Sequence, residues 1–159
     1  MFRLLIAAII AALFLLVVHS VNAQQPRSNV ATFLLSTPEE ISTAMFQSFV
    51  YVPDIIQFNV WDDQRSYANE VRRGKKFKDD CDGFAITARD LLRSAGIEAW
   101  LVVVESRFIG GWHMFAAFRD PKDGVVKTLD NRYPGIRTYE KTISGSMYRN
   151  PIEIEKASK

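Results

Sequence analysis

The chain has one cysteine, Cys81, and so cannot cross-link itself through an internal disulfide. It also has no large excess of either charge. Twenty basic and 18 acidic residues give a net charge of +2, far from the cationic surplus that draws a protein to phosphate backbones, so no nucleic-acid partner is expected. Internal repeats and low-complexity tracts are absent. No apolar run reaches the ~20 residues of a permanent membrane-spanning helix.

The longest such run, Leu4 to Val18, follows Arg3 and precedes His19-Ser20-Val21-Asn22-Ala23, whose small residues suit a signal peptidase. Residues 1–23 are therefore expected to be a signal peptide, with an uncleaved anchor as the alternative. Only in that alternative is the membrane a partner. Residues 24–159 suit one domain, placed in the periplasm or secreted. A lone thiol is a liability in an oxidising compartment unless it does chemistry. A buried cysteine acting as a small hydrophobe is the plainer account.

Thr37-Pro38-Glu39-Glu40 reads as a capping box that opens a helix over 38–50, with Ile41, Ala44, Met45 and Phe49 on one face and Pro53 as its stop. A second helix is expected over 59–73, ended by Gly74. The basic stretch Arg72 to Lys78 reads as a solvated loop, although it directly precedes the cysteine. Asp79-Asp80-Cys81-Asp82-Gly83 opens the clearest helix, with Phe84, Ala85, Ala88, Leu91, Leu92 and Ala95 at helical spacing and Gly96 as terminator. Ala99 to Val104 reads as a buried strand. Trp112 to Phe118 follows the Gly110-Gly111 turn, and Val125 to Leu129 follows Pro121-Lys122-Asp123-Gly124 as a third strand ending at Asp130. After about residue 135 the pattern weakens, and the tail is left without assigned elements.

Cysteine attacks as a thiolate, and unpaired N–H groups at a helix start favour that anion, so Cys81 is expected to be a thiol of low pKa. Its own N–H could face an oxyanion. His113 lies in a strand, and Asp130 ends the next strand of a meander, where paired side chains approach to ~5 Å. The three residue types together make an activated nucleophile. Taken singly, each has an ordinary structural explanation.

These segments, from Asp79-Asp80-Cys81-Asp82-Gly83-Phe84-Ala85 through Gly96-Ile97 and Trp112-His113-Met114 to Leu129-Asp130-Asn131, resemble the bacterial transglutaminase-like cysteine proteinases, the LapG-like periplasmic group. The resemblance spans roughly residues 55–135. It implies an α+β fold with a papain-like core, the cysteine-bearing helix packed on an antiparallel sheet. It implies Cys81 as nucleophile, His113 as base and later acid, and Asp130 as the orienting carboxylate. It also implies calcium at Asp80 and Asp82, with Asp79 or Asn131 adding ligands; helix capping by these aspartates needs no metal. The activity so implied is peptide-bond cleavage through a thioester, on a protein or peptide of the periplasm or cell envelope. Acyl transfer to an amine, peptidoglycan cleavage, or a non-catalytic binding module on the same fold are the alternatives. A second oxyanion donor is unassigned, with Gln57, Asn59 and Trp61 as candidates.

Overall fold

The computed structural model describes residues 32–57, 64–107, 110–145 and 147–155. The expected signal peptide, together with Asn59 and Trp61, lies outside them. The described elements are α1 (Pro38–Ser48), β1 (Phe49–Tyr51), α2 (Asp54–Gln57), α3 (Ala68–Arg72), β2 (Phe77–Asp79) and α4 (Cys81–Ser94). They continue with β3 (Ala99–Ser106), β4 (Trp112–Arg119), β5 (Val126–Asp130), β6 (Tyr133–Thr138), α5 (Tyr139–Ile143) and β7 (Tyr148–Ile154). Strands β3 to β7 form one antiparallel sheet in the order β6-β5-β4-β3-β7, and β1 pairs with β2 in a separate parallel ribbon. The fold is α+β, with the cysteine-bearing helix on the sheet.

The alternation of strand side chains sorts the core onto the two faces of the sheet, with its two larger clusters on opposite sides. Ala99, Ala116, Phe118 and Leu129 meet α1 and α4 through Ile41, Met45, Phe84, Ala88, Leu91 and Leu92. Trp100, Val102, Val104, Phe115 and Ala117 instead join Tyr148, with Tyr139 and Ile143 of α5 packed against them. A hydroxyl bond of 2.8 Å between buried Thr128 and Thr142 ties α5 to the sheet. Helix α4 shows the apolar face its spacing predicts, and Gly96 follows it at φ +76, a conformation open to glycine.

Four expectations need correction. Helix α1 stops at Ser48, well before Pro53, because Phe49–Tyr51 leaves to pair with Phe77–Asp79. The second helix is only Ala68–Arg72 among the described residues, and 64–67 precede it without helical structure. The basic stretch is exposed through Lys75 and Lys76, as a solvated loop should be, but its end is strand β2 with Phe77 buried. Among the described residues, the tail after 135 forms the rest of β6, then α5 and β7. Its signal is weak because β6 and β7 are the two sheet edges and each carries a proline, Pro134 and Pro151.

The capping box is present in full: the Glu40 N–H donates to Thr37, and the Glu40 carboxylate accepts from the Thr37 N–H. Thr37→Ala is expected to lower stability by about 1 kcal/mol, seen as a lower urea midpoint at unchanged slope.

Candidate active site

Helix α4 begins at Cys81 because its entry is saturated with aspartate acceptors. Asp79 takes the Asp80 N–H at 2.8 Å, Asp80 caps the Asp82 N–H at 3.3 Å, and Asp82 takes the Gly83 N–H at 2.6 Å. The Cys81 N–H has no acceptor among the described residues, and it is one of the amides a helix start leaves unpaired.

The sulfur receives the Met114 N–H from β4. Burial is the largest influence on it, and the Asp80 and Asp82 charges act in the same direction; against Met114 and the Arg132 guanidinium they leave the thiol pushed up to about 12. This corrects the expectation of a low-pKa thiol. The helix start was weighed there without the desolvation and the flanking carboxylates that oppose it. The cation bearing on the sulfur is Arg132, which follows Asp130.

His113 and Asp130 are in contact. His113 Nε2 lies 2.9 Å from Asp130 Oδ1, and both side chains are 1 % exposed. The bond assigns the Nε2 proton to the aspartate side and leaves Nδ1 available. Asp130 Oδ1 also accepts the Arg132 N–H at 2.9 Å, and Oδ2 accepts the Tyr148 hydroxyl at 2.7 Å. Burial by itself would raise the Asp130 carboxyl, but His113, the Arg132 N–H and Tyr148 outweigh it and hold it below its ordinary value. The stability so gained is present above the unfolded value near ~4 and is lost as pH falls through the lower folded value.

Two cavities meet at Asp80, Cys81, Trp112 and His113. One, of about 360 Å³, is completed by Gln64, Asp82, Val103 and Met114. The other, of about 470 Å³, is completed by Phe49, Tyr51, Asn131 and Arg132. Trp112 and Tyr51 stand 61 % and 59 % exposed, apolar walls on an otherwise polar rim. Gln57, a candidate oxyanion donor, gives its amide to the Lys78 carbonyl at 2.7 Å and is engaged there.

Asp80 and Asp82 belong to a larger group than the sequence indicated. Oxygens of Asp54, Asp79, Asp80 and Asp82 all lie within 4.8 Å of one another, and Asp54, Asp79 and Asp82 are buried. Asp54 has no local signal because it sits 25 residues before Asp79, and the pairing of Phe49–Tyr51 with Phe77–Asp79 brings the segments together. Burial first, then the Asp54 carboxyl, push Asp79 well above the ordinary carboxylate range. A largely buried set of hard oxygen donors, with Asp79 held well above the ordinary carboxylate range, fits a calcium ion.

No protein-family model matches the chain, and no curated protein does. Among solved structures, the fold is similar to calcium-bound Legionella pneumophila LapG, with a TM-score of 0.50 and 20 % identity over 70 % of this chain and 60 % of that one. The EGTA-treated form of LapG aligns with a TM-score of 0.47 and 21 % identity over 65 % of this chain and 55 % of that one. The chain thus spans about 60 % of the length of that LapG chain. The likeness is one of fold.

Gly83 makes room for the acidic group, since a Cβ there would overlap the Asp79 carboxyl carbon and both its oxygens. Gly83→Ala is expected to cost roughly 1–3 kcal/mol by overpacking, read from the denaturant midpoint. A midpoint matching the wild type would show that Asp79 is free to move aside.

Proposed function

We propose that the protein is an exported thiol hydrolase that cleaves peptide bonds with Cys81, His113 and Asp130. The observation that carries this reading is the buried 2.9 Å bond between His113 and Asp130 beside a cavity that also holds Cys81. The motif resemblance to the LapG-like proteinases and the shared fold support it.

The chemistry follows from the protonation states. With the thiol near 12, the resting sulfur is protonated, so attack needs a base acting in the same step. His113 Nδ1 takes the proton as Sγ bonds to the scissile carbonyl carbon, and Asp130 stabilises the imidazolium that forms. The Cys81 N–H, which has no acceptor among the described residues, is the donor for the oxyanion. The imidazolium then protonates the leaving amine, the C–N bond breaks, and a thioester remains. Water, deprotonated by the same imidazole, releases the acid and restores the thiol. The open walls at Tyr51 and Trp112 suit an extended peptide of a periplasmic or envelope protein.

Asp54, Asp79, Asp80 and Asp82 would hold calcium. The ion would supply positive charge that favours the ionised Asp79 carboxyl and offsets the repulsion of a sulfur anion by Asp80 and Asp82.

Two outcomes are expected. Purified protein should cleave fluorescein-labelled casein, Cys81→Ala should abolish cleavage, and His113→Ala should reduce it by roughly 10²-fold or more; cleavage that survives Cys81→Ala refutes the thiol mechanism. Calcium should raise the melting temperature and EGTA lower it, by about 2.7 kcal/mol of stability at a hundredfold excess over Kd, with Asp79→Asn removing most of the shift. A melting curve indifferent to both reagents removes the metal and leaves the triad standing.

A further inference from the structure

Strand β7 is exposed along its length except at one residue. Tyr148 is 1 % exposed, while the six residues after it face solvent. The strand pairs with β3 through a register shift between Val103 and Glu105, where Asn150 adopts φ +51, and Tyr148 sits opposite Ser106. The far end is fastened to α4, with Glu155 bonded to Arg89 at 2.7 Å and to Arg93 at 3.2 Å. An edge strand so held, with a bulge re-aiming one end, delivers a single side chain inward.

That side chain meets both partners of the buried pair. Its hydroxyl donates to Asp130 Oδ2 at 2.7 Å. Its ring stacks on the His113 imidazole with centroids 5.3 Å apart and 17° between planes. Phe115 at 5.9 Å and the edge of Tyr133 at 6.3 Å fix the ring. The Arg132 guanidinium lies 5.7 Å from the same ring and donates to Ser106 at 3.2 Å.

We propose that Tyr148 is a positioning residue for the thiol site, its hydroxyl locking the second oxygen of Asp130 and its ring shielding the His113–Asp130 bond from water. The inference rests on the proposed triad. A carboxylate held by donors on one oxygen alone can swing about its Cβ–Cγ bond, and the imidazole it orients swings with it. With Oδ2 pinned, the direction of Nδ1 is fixed. The hydroxyl also takes up part of the Asp130 charge, so less of it bears on the imidazole. The ring keeps water from competing for Nε2–H, where a small misplacement is costly.

The test uses iodoacetamide on Cys81, with His113→Ala as reference. Tyr148→Phe keeps the ring and removes the hydroxyl. It is expected to slow alkylation at neutral pH by about tenfold and to move the acidic limb of the pH profile to higher pH. Tyr148→Leu, which removes the ring as well, should slow it further. Far-UV circular dichroism shows whether each variant keeps its fold. A Tyr148→Phe profile that overlays the wild type overturns the inference. If the wild-type rate ignores His113→Ala, the triad fails instead. Tyr148 is then judged by exchange of the His113 Nε2–H with water in NMR spectra. Slow exchange in the wild type and fast exchange in Tyr148→Leu supports the shield, and equal rates in all three proteins reject it.

Discussion

A buried carboxylate is tolerated only when its oxygens are occupied, and much of the structure around Asp130 serves that condition. Removing such a group from water costs several kcal/mol unless hydrogen bonds replace the solvent. Here the replacements come from three places: the imidazole on β4, the Arg132 N–H in the turn after β5, and the phenol on β7. The register shift between Leu129 and Asp130 sits where this turn must curl back. Asp130, at the end of β5, is therefore bonded through its side chain to both β4 and β7, although β7 pairs in the sheet with β3.

The sulfur is governed by the opposite balance. A helix start offers about half a positive charge, worth ~0.3–1 kcal/mol to an exposed anion. Against it stand desolvation and the charges of Asp80 and Asp82. One pKa unit corresponds to ~1.36 kcal/mol, so the helix start cannot hold the thiol down in this setting. Burial and the flanking carboxylates thus favour the thiol over its anion, beside an oriented imidazole. Charge arises on sulfur only when the proton has somewhere to go.

Local signals explain what the sequence made legible. Helix α4 combines an acidic cap, helical apolar spacing and a glycine stop, so its bounds can be read almost to the residue. Strands β3, β4 and β5 are buried and bracketed by glycine turns. Cys81, His113 and Asp130 lie in these segments, which is why they stood out. Asp54 and Tyr148 did not, for two different reasons. Asp54 gains its meaning from the parallel pairing of β1 with β2, a long-range contact with no local signature. Tyr148 opens a strand of exposed residues, polar and charged ones mixed with Ile152 and Ile154 and interrupted by Pro151, whose pattern matches a disordered tail as well as an edge. The thiol was misjudged because desolvation depends on how closely β4 approaches, which the spacing of residues does not encode.

The position of the site follows from the two-faced sheet. His113 alternates with Met114 along β4, so its ring joins the cluster of Phe115 and Tyr148 while Met114 packs towards Ala85, Ile86 and Leu101 beneath α4. A residue in the middle of α4 would be separated from the imidazole by the thickness of the sheet. At the first turn of α4 that separation disappears: β4 has just begun, its Met114 N–H reaches the sulfur, and the cavities around Cys81 open onto His113. A thiol on one layer and an imidazole facing the other can share a cavity only at this end of the sheet. The β1–β2 ribbon closes the same end, and through Asp54 and Asp79 it brings the acidic group against Asp80 and Asp82. One boundary of the fold therefore sets the reach of the imidazole and the charge around the sulfur together.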